Sequence, residues 1–159
     1  MIKKIFKTAQ FFRRETYKLF KIKTRGVRVL LFKKDKILLV RHRYNDLWVM
    51  PGGKIDHKDS PELAARKELE EEVGIIAENF DYQLGVYKNN IKGKDDTVYV
   101  YVLTHFKKIE DFKRTFLNFI EIKDSKWFYI LDLPENTSSA TMDRITELKQ
   151  GLKNQKGDW

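Results

Sequence analysis

The chain has 159 residues, 42% of them hydrophobic, enough to build the core of one globular domain. It contains no cysteine and three histidines, which excludes a disulfide framework and a thiolate zinc site and points any metal toward oxygen ligands. The net charge of +9 is concentrated in residues 1–28, which hold ten Lys and Arg against the single acid Glu15, while the remaining 131 residues hold 22 of each sign. The basic character therefore bears on the partner of the first segment and not on a pocket in the body.

In residues 2–20, Ile2, Ile5, Phe6, Ala9, Phe12, Leu19 and Phe20 fall near one side of a helical repeat with basic residues between them. This predicts a basic amphipathic helix over 1–24, ahead of a main domain at 25–152 and a polar tail at 153–159. Three roles compete for residues 1–28: packing on the domain or on the mate in a homodimer, lying on a membrane surface, and contacting RNA. Packing is the favoured one. The basic start lacks the apolar run of a signal peptide, and no stretch approaches the roughly 20 apolar residues of a membrane span, so a cytoplasmic location is expected.

From Val27 the pattern changes to that of strands. Val27–Phe32 and Ile37–Val40, split by the polar Lys33–Lys36, read as a hairpin, and a short strand near Leu47–Met50 runs into Pro51-Gly52-Gly53. Ser60 followed by Pro61 supplies an N-cap and a first-turn proline, and the helix they begin continues to Val73, with Gly74 suited to the position after its end. Strands are predicted at Asp81–Tyr87, Thr97–Phe106 and Lys126–Ile130, and a closing helix at Ser138–Leu152. Strands interleaved with helices in this order imply an α/β sandwich around a mixed or antiparallel sheet.

Glu68, Glu71 and Glu72 are spaced i, i+3, i+4 on the predicted helix, so their carboxylates share one side. Ala64 and Ala65 lie on or beside that side, and Leu63, Leu69 and Val73 are expected to pack elsewhere. A solvated acidic face is the plain alternative for such a cluster. Like charges at this spacing repel, and a divalent cation relieves the repulsion; all-oxygen ligands suit Mg²⁺ or Mn²⁺, which complete their shells with water and substrate phosphates.

The preceding loop, Pro51-Gly52-Gly53-Lys54-Ile55-Asp56-His57-Lys58-Asp59-Ser60-Pro61, runs directly into this acidic helix. Together they resemble the Nudix signature, in which a Gly, a Glu and an Arg-Glu-hydrophobic-any-Glu-Glu-any-Gly-hydrophobic run follow one another at fixed spacing. Gly53, Glu68, Leu69, Glu71, Glu72, Gly74 and Ile75 occupy their places without a gap. Asp59 stands where the family has Glu, and Lys67 where it has Arg, both keeping the charge. Arg66 is only an imperfect stand-in for that Arg, about 100° away round the helix.

The resemblance implies a Nudix α/β/α sandwich and a metal-dependent pyrophosphohydrolase acting on a nucleoside diphosphate linked to another group. Its implied metal ligands are Glu71, Glu72 and the Gly52 carbonyl, with Glu68 a further ligand or the general base. Glu121, on an expected loop shortly before Trp127, resembles the family's downstream acid and is a ligand or the base. Lys54, Arg41, Arg43 and Trp48 are candidate substrate contacts, through phosphate for the cations and through stacking for the indole, although Trp48 also reads as a core residue. No proline lies between Pro61 and Pro134, so the downstream proline of ADP-ribose hydrolases is missing, as are the coenzyme A and NADH-type markers. A nucleoside triphosphate is the substrate expected. The alternatives are removal of diphosphate from RNA 5′ ends and a non-catalytic module that binds nucleotide or RNA.

Overall fold

A computed structural model describes residues 23–89 and 95–159. Strand β1 (Lys23–Lys33) is the spine of the molecule, pairing in parallel with β6 (Asp95–Leu103) from Lys23 opposite Asp95 to Leu31 opposite Leu103. At its far end it turns into β2 (Lys36–His42), to which it is joined antiparallel through Phe32 opposite Ile37. β2 carries the short β3 (Trp48–Val49) on one edge and β8 (Ile122–Tyr129) on the other, both antiparallel. Beyond β6 come β5 (Tyr82–Asn89), antiparallel, and β9 (Gln155–Asp158), parallel to β5. A separate ribbon pairs β4 (Ile75–Ile76) with β7 (Lys107–Lys108).

Period-two alternation on β1 feeds a core on each face of the sheet. Val27, Val29 and Leu31 join Ala64, Ala65 and Leu69 of helix α1 (Pro61–Val73) on one side. Leu30 and Phe32 join Met50, Leu84 and Ile145 of helix α3 (Ser139–Lys149) on the other. A short helix α2 (Phe116–Glu121) leads into β8. Burying such side chains contributes about 1.5–3 kcal/mol each, so the two helices are held to the sheet by apolar area from both sides. The arrangement is the expected α/β/α sandwich with a mixed sheet.

Helix α1 begins and ends as the sequence implies. The Ser60 hydroxyl accepts the Leu63 N–H at 3.2 Å, and Gly74, at φ 66°, closes the helix by donating its N–H to the Glu70 carbonyl at 3.2 Å. The acidic last turn carries no basic residue of its own. Arg114 supplies one from outside, donating Nε to the Glu72 carbonyl at 2.8 Å and a second nitrogen to the Ser125 hydroxyl at 2.7 Å. A cation at a helix C-terminus offsets the macrodipole.

Several expectations are corrected. The polar tail set apart at 153–159 belongs to the sheet: Gln155–Asp158 forms β9, the Trp159 N–H donates to the Lys88 carbonyl at 3.0 Å, and the Trp159 ring packs 6.1 Å from Tyr87. Leu63 is 43% exposed, whereas the small Ala64 and Ala65 are buried and let α1 approach β1 closely. Glu121 is the last residue of a helix and not part of a loop. Most of the N-terminal helix expected over 1–24 lies outside the described residues, and Lys23 and Thr24 belong to β1.

Candidate active site

The loop between β3 and α1 is tied to β1 as if it were another strand. Val29 N–H donates to the Pro51 carbonyl at 3.0 Å, Val27 N–H to the Gly53 carbonyl at 2.9 Å, and Ile55 N–H to the Arg25 carbonyl at 2.8 Å. This close approach requires Gly52, whose φ is +132° and where a Cβ would stand 2.2 Å from the Val27 carbonyl oxygen. The Gly52 N–H faces the other way and donates to Glu72 Oε2 at 2.9 Å. Loop and helix, the two halves of the signature, are thus joined by one hydrogen bond.

Glu68 lies against the next residue, so that a Cβ on Gly53 would meet Glu68 Oε1 at 2.1 Å. Glu72 is 5% exposed. Burial raises the Glu72 carboxyl to about 8, with the neighbouring charge of Glu68 raising it further and the Gly52 N–H and Arg28 pulling it down. Burial likewise raises Glu68 to about 7, opposed by Arg28 and reinforced by Glu71 and Glu121. Five acids therefore share one field: Glu68, Glu71, Glu72, Asp56 of the loop and, from the end of α2, Glu121. Glu121 is half-exposed, and its Oε1 lies 3.9 Å from Nδ1 of the buried His42.

Among the described residues, no three His, Cys, Asp or Glu side chains stand close enough to enclose a metal ion by themselves. The donor set nevertheless fits a hard cation. It is all carboxylate, burial holds protons on Glu68 and Glu72 that a cation would displace, and Mg²⁺ characteristically takes one or two carboxylates and completes its shell with water and phosphate. An open cleft of about 350 Å³, with Lys67, Glu71 and Lys113 on its walls, adjoins the cluster.

The two departures from the signature meet each other. Lys67 Nζ donates to Asp59 Oδ2 at 2.8 Å, so the shortened acid and the substituted base form one ion pair, on the cleft wall that Lys67 shares with Glu71. The structure also moves several expected contacts. Arg41 is opposite Asp124 in the β2–β8 register and bonds to it, Nε to Oδ2 at 3.1 Å, so its guanidinium is committed within the protein. Arg43 donates Nε to the Phe119 carbonyl at 2.9 Å and stacks on the Phe119 ring at 4.9 Å, pinning α2. Trp48, 5% exposed and edge-on to Phe128, is a core residue and not a stacking platform. Lys54 is exposed on the loop, opposite Gly26.

Arg28, which acts on both Glu68 and Glu72, was not foreseen. Its signal in the sequence is a lone charge inside the apolar run Val27–Phe32.

The NUDIX domain model matches residues 22–148. Diphosphoinositol polyphosphate phosphohydrolase 3-alpha of Mus musculus is 35% identical over 102 residues, a match covering 63% of this chain and 58% of that protein. The chain thus spans well under two thirds of that relative's length. The crystal structure of a MutT NUDIX hydrolase from Burkholderia pseudomallei is 24% identical with a TM-score of 0.67, covering 80% of this chain and 98% of that one. A crystal structure of UDP-X diphosphatase is 26% identical with a TM-score of 0.61, covering 86% of this chain and 68% of that one. With its signature assembled between β1 and α1 and the domain matched over most of its length, the chain belongs to the Nudix family.

Proposed function

We propose that the protein is a pyrophosphohydrolase that cleaves a phosphoanhydride bond with Mg²⁺ or Mn²⁺, its substrate a nucleoside triphosphate. The observation that carries this reading is the gathering of Glu68 and Glu72 against the Gly52-Gly53 turn, one half-buried and one buried carboxylate with raised proton affinity beside Glu71 and Glu121. Isolated buried carboxylates are costly, and a cluster of them is tolerated where it binds cations and moves protons.

Glu71, Glu72 and the Gly52 carbonyl would hold the cation, with Glu68 and Glu121 at its margin. When bound, the cation neutralises phosphate charge and favours attack by water on phosphorus. Glu68, near neutrality in proton affinity, is the residue suited to take the proton from the attacking water. The phosphorus–oxygen anhydride bond breaks as the water oxygen bonds to phosphorus, and the leaving phosphate keeps the electron pair. Arg28 stands on the strand beside the turn, where a cation steadies the charge of the transferred group.

A second reading is favoured by the relatives: a diphosphoinositol polyphosphate as substrate, its phosphates in the cleft bearing Lys67 and Lys113. A panel of nucleoside triphosphates, nucleotide sugars, dinucleoside polyphosphates, a diphosphoinositol polyphosphate and 5′-triphosphate RNA, incubated with Mg²⁺ and resolved by chromatography, separates the readings. Anhydride cleavage of any one of these compounds supports the hydrolase, and the preferred compound names its class. No cleavage of any of them, with Mn²⁺ as well, would overturn it in favour of a binding module.

A further inference from the structure

Among the described residues, three buried side-chain nitrogens have no hydrogen-bond partner, and one of them, Nδ1 of His42, faces the carboxylate cluster. Leaving a buried polar atom unpaired costs about 1–3 kcal/mol, so its retention at this place calls for a physical reason. Oε1 of Glu121 stands 3.9 Å from it, one small side-chain rotation short of a hydrogen bond.

The backbone brings the two residues together. In the β2–β8 ladder Arg41 is opposite Asp124 and His42 opposite Ile122, so Lys123 is the extra residue of a bulge, and the slip carries Glu121 one residue nearer to His42. The Arg43 N–H, next along the chain, donates to the Glu121 carbonyl at 2.8 Å. Arg43 Nε holds the Phe119 carbonyl, and Asn118 Nδ2 donates to the Glu71 carbonyl at 3.2 Å, so α2 is tied both to the end of β2 and to α1. The main chain of Glu121 is thereby anchored, and its half-exposed side chain is the part that can turn.

The imidazole is placed as a donor and not as a charge. It is 6% exposed and lies against Tyr44, ring centroids 4.9 Å apart and planes 20° from parallel, which sets its plane. Burial, with Arg28 acting in the same direction, lowers it to about 4, so the ring is neutral and carries one N–H. On Nδ1 that proton faces a carboxylate; on Nε2 it would leave the Nδ1 lone pair pointed at one. Glu121 in turn acts on Glu68 and Glu72. A neutral donor on Glu121 favours its ionised form without adding charge to the cluster, and it sets where the carboxylate oxygens stand.

We propose that His42 is a positioning residue for the reaction: its Nδ1–H donates to the Glu121 carboxylate and holds that side chain in the cluster. The inference rests on the hydrolase reading above and adds to it a residue outside the signature. The test begins with ¹⁵N-histidine-labelled full chain near neutral pH, in chelator and with Mg²⁺, where long-range ¹H–¹⁵N correlation reads the tautomer of each ring. The chain has three histidines, and His57 and His105 are exposed, so the buried ring is assigned by its loss in His42→Asn. An Nδ1–H tautomer is expected, its proton resonance shifted or lost in Glu121→Ala. An Nε2–H tautomer in both conditions, or an Nδ1–H that ignores Glu121→Ala, overturns the proposal.

Kinetics supply the second arm. His42→Leu should lower kcat and raise the Mg²⁺ concentration needed for half activation, each by about tenfold or more, with a smaller change in KM. His42→Asn, whose amide can present an N–H near the same point, should recover most of the loss. In a Glu121→Ala background His42→Leu should cost little more, because the contact is already gone. An equal loss from His42→Leu in both backgrounds, with thermal melting showing each variant folded, overturns the proposal; if His42→Leu does not fold, the tautomer and His42→Asn decide. The tautomer needs no turnover. Anhydride cleavage by a chain whose His42 is Nε2–H therefore spares the hydrolase and sinks this contact, whereas a His42–Glu121 bond in a chain that cleaves no anhydride refutes the hydrolase instead.

Discussion

Replacing each glycine of the turn by alanine should produce opposite phenotypes. At Gly53 the added Cβ falls 2.1 Å from Glu68 Oε1, and ordinary contact begins at 3.4 Å, so the carboxylate must retreat by about 1.3 Å. The obstacle is the far end of a flexible side chain and the backbone at Gly53 is unstrained, so stability should change by less than about 1 kcal/mol. A displacement of about 1 Å in a reacting group costs on the order of 10²-fold in rate, and that loss in turnover is expected. At Gly52 the Cβ meets the backbone oxygen of Val27 at 2.2 Å and the φ of +132° is one that side chains avoid. That conformation alone costs about 1–3 kcal/mol, and the backbone overlap adds to it. At roughly 2–4 °C per kcal/mol for a chain of this size, Gly52→Ala should melt about 5–10 °C lower. Circular dichroism melting and turnover on the best substrate of the panel read both variants. A Gly53→Ala enzyme turning over at the wild-type rate, or a Gly52→Ala protein melting with wild type, would refute this account of the turn.

Glu68 and Glu72 are held protonated by burial up to about 7 and about 8, far above the ordinary carboxylate range. The folded state then keeps protons that the unfolded chain has released above about pH 4.5, so metal-free protein should lose stability as pH rises from about 5 through 8. Melting temperatures should show Glu72→Gln flattening that decline and Mg²⁺ offsetting it more at pH 8 than at pH 6; a wild-type slope unchanged by either would contradict the assignment. Asp59→Ala and Lys67→Ala should lower activity by the same factor, and the double variant by no more, because each removes the same ion pair. Multiplying effects in kinetic assays would show that the two act separately. Arg114→Ala removes bonds to the Glu72 carbonyl and Ser125, and should cost about 1–3 kcal/mol by thermal melting, with an unchanged melting temperature contradicting the capping role.

The carboxylate helix was legible because its chemistry and its geometry are written in the same residues. The spacing of Glu68, Glu71 and Glu72 is the helix repeat, and Ser60, Pro61 and Gly74 mark its ends without help from the rest of the chain. The strands of the hairpin were legible from Val27–Phe32 and Ile37–Val40 for the same reason. β9 was not: Gln155-Lys156-Gly157-Asp158 has no apolar alternation, and it is a strand because β5 offers an edge and Trp159 anchors its end. α2 has only six residues, too few for periodicity to declare itself. The fates of Arg41 and Arg43 depend on the β2–β8 register, which places Asp124 opposite one, and on α2, which offers a carbonyl and a ring to the other. Such partners are distant in sequence, and a basic residue near a glycine turn reads as a phosphate contact until they are known. The pairing of Asp59 with Lys67 is of the same kind, since two separate departures from a pattern become one compensated interaction only when the loop folds back on the helix.

The most direct test of the central claim follows anhydride cleavage by ³¹P NMR for wild type with Mg²⁺, wild type with chelator, and Glu71→Gln with Mg²⁺, using the preferred compound of the panel. Glu71 is exposed on the helix face, so its loss should leave the fold intact. Cleavage confined to wild type with the metal is the predicted result; cleavage that persists at the wild-type rate in chelator or in Glu71→Gln would place the chemistry elsewhere.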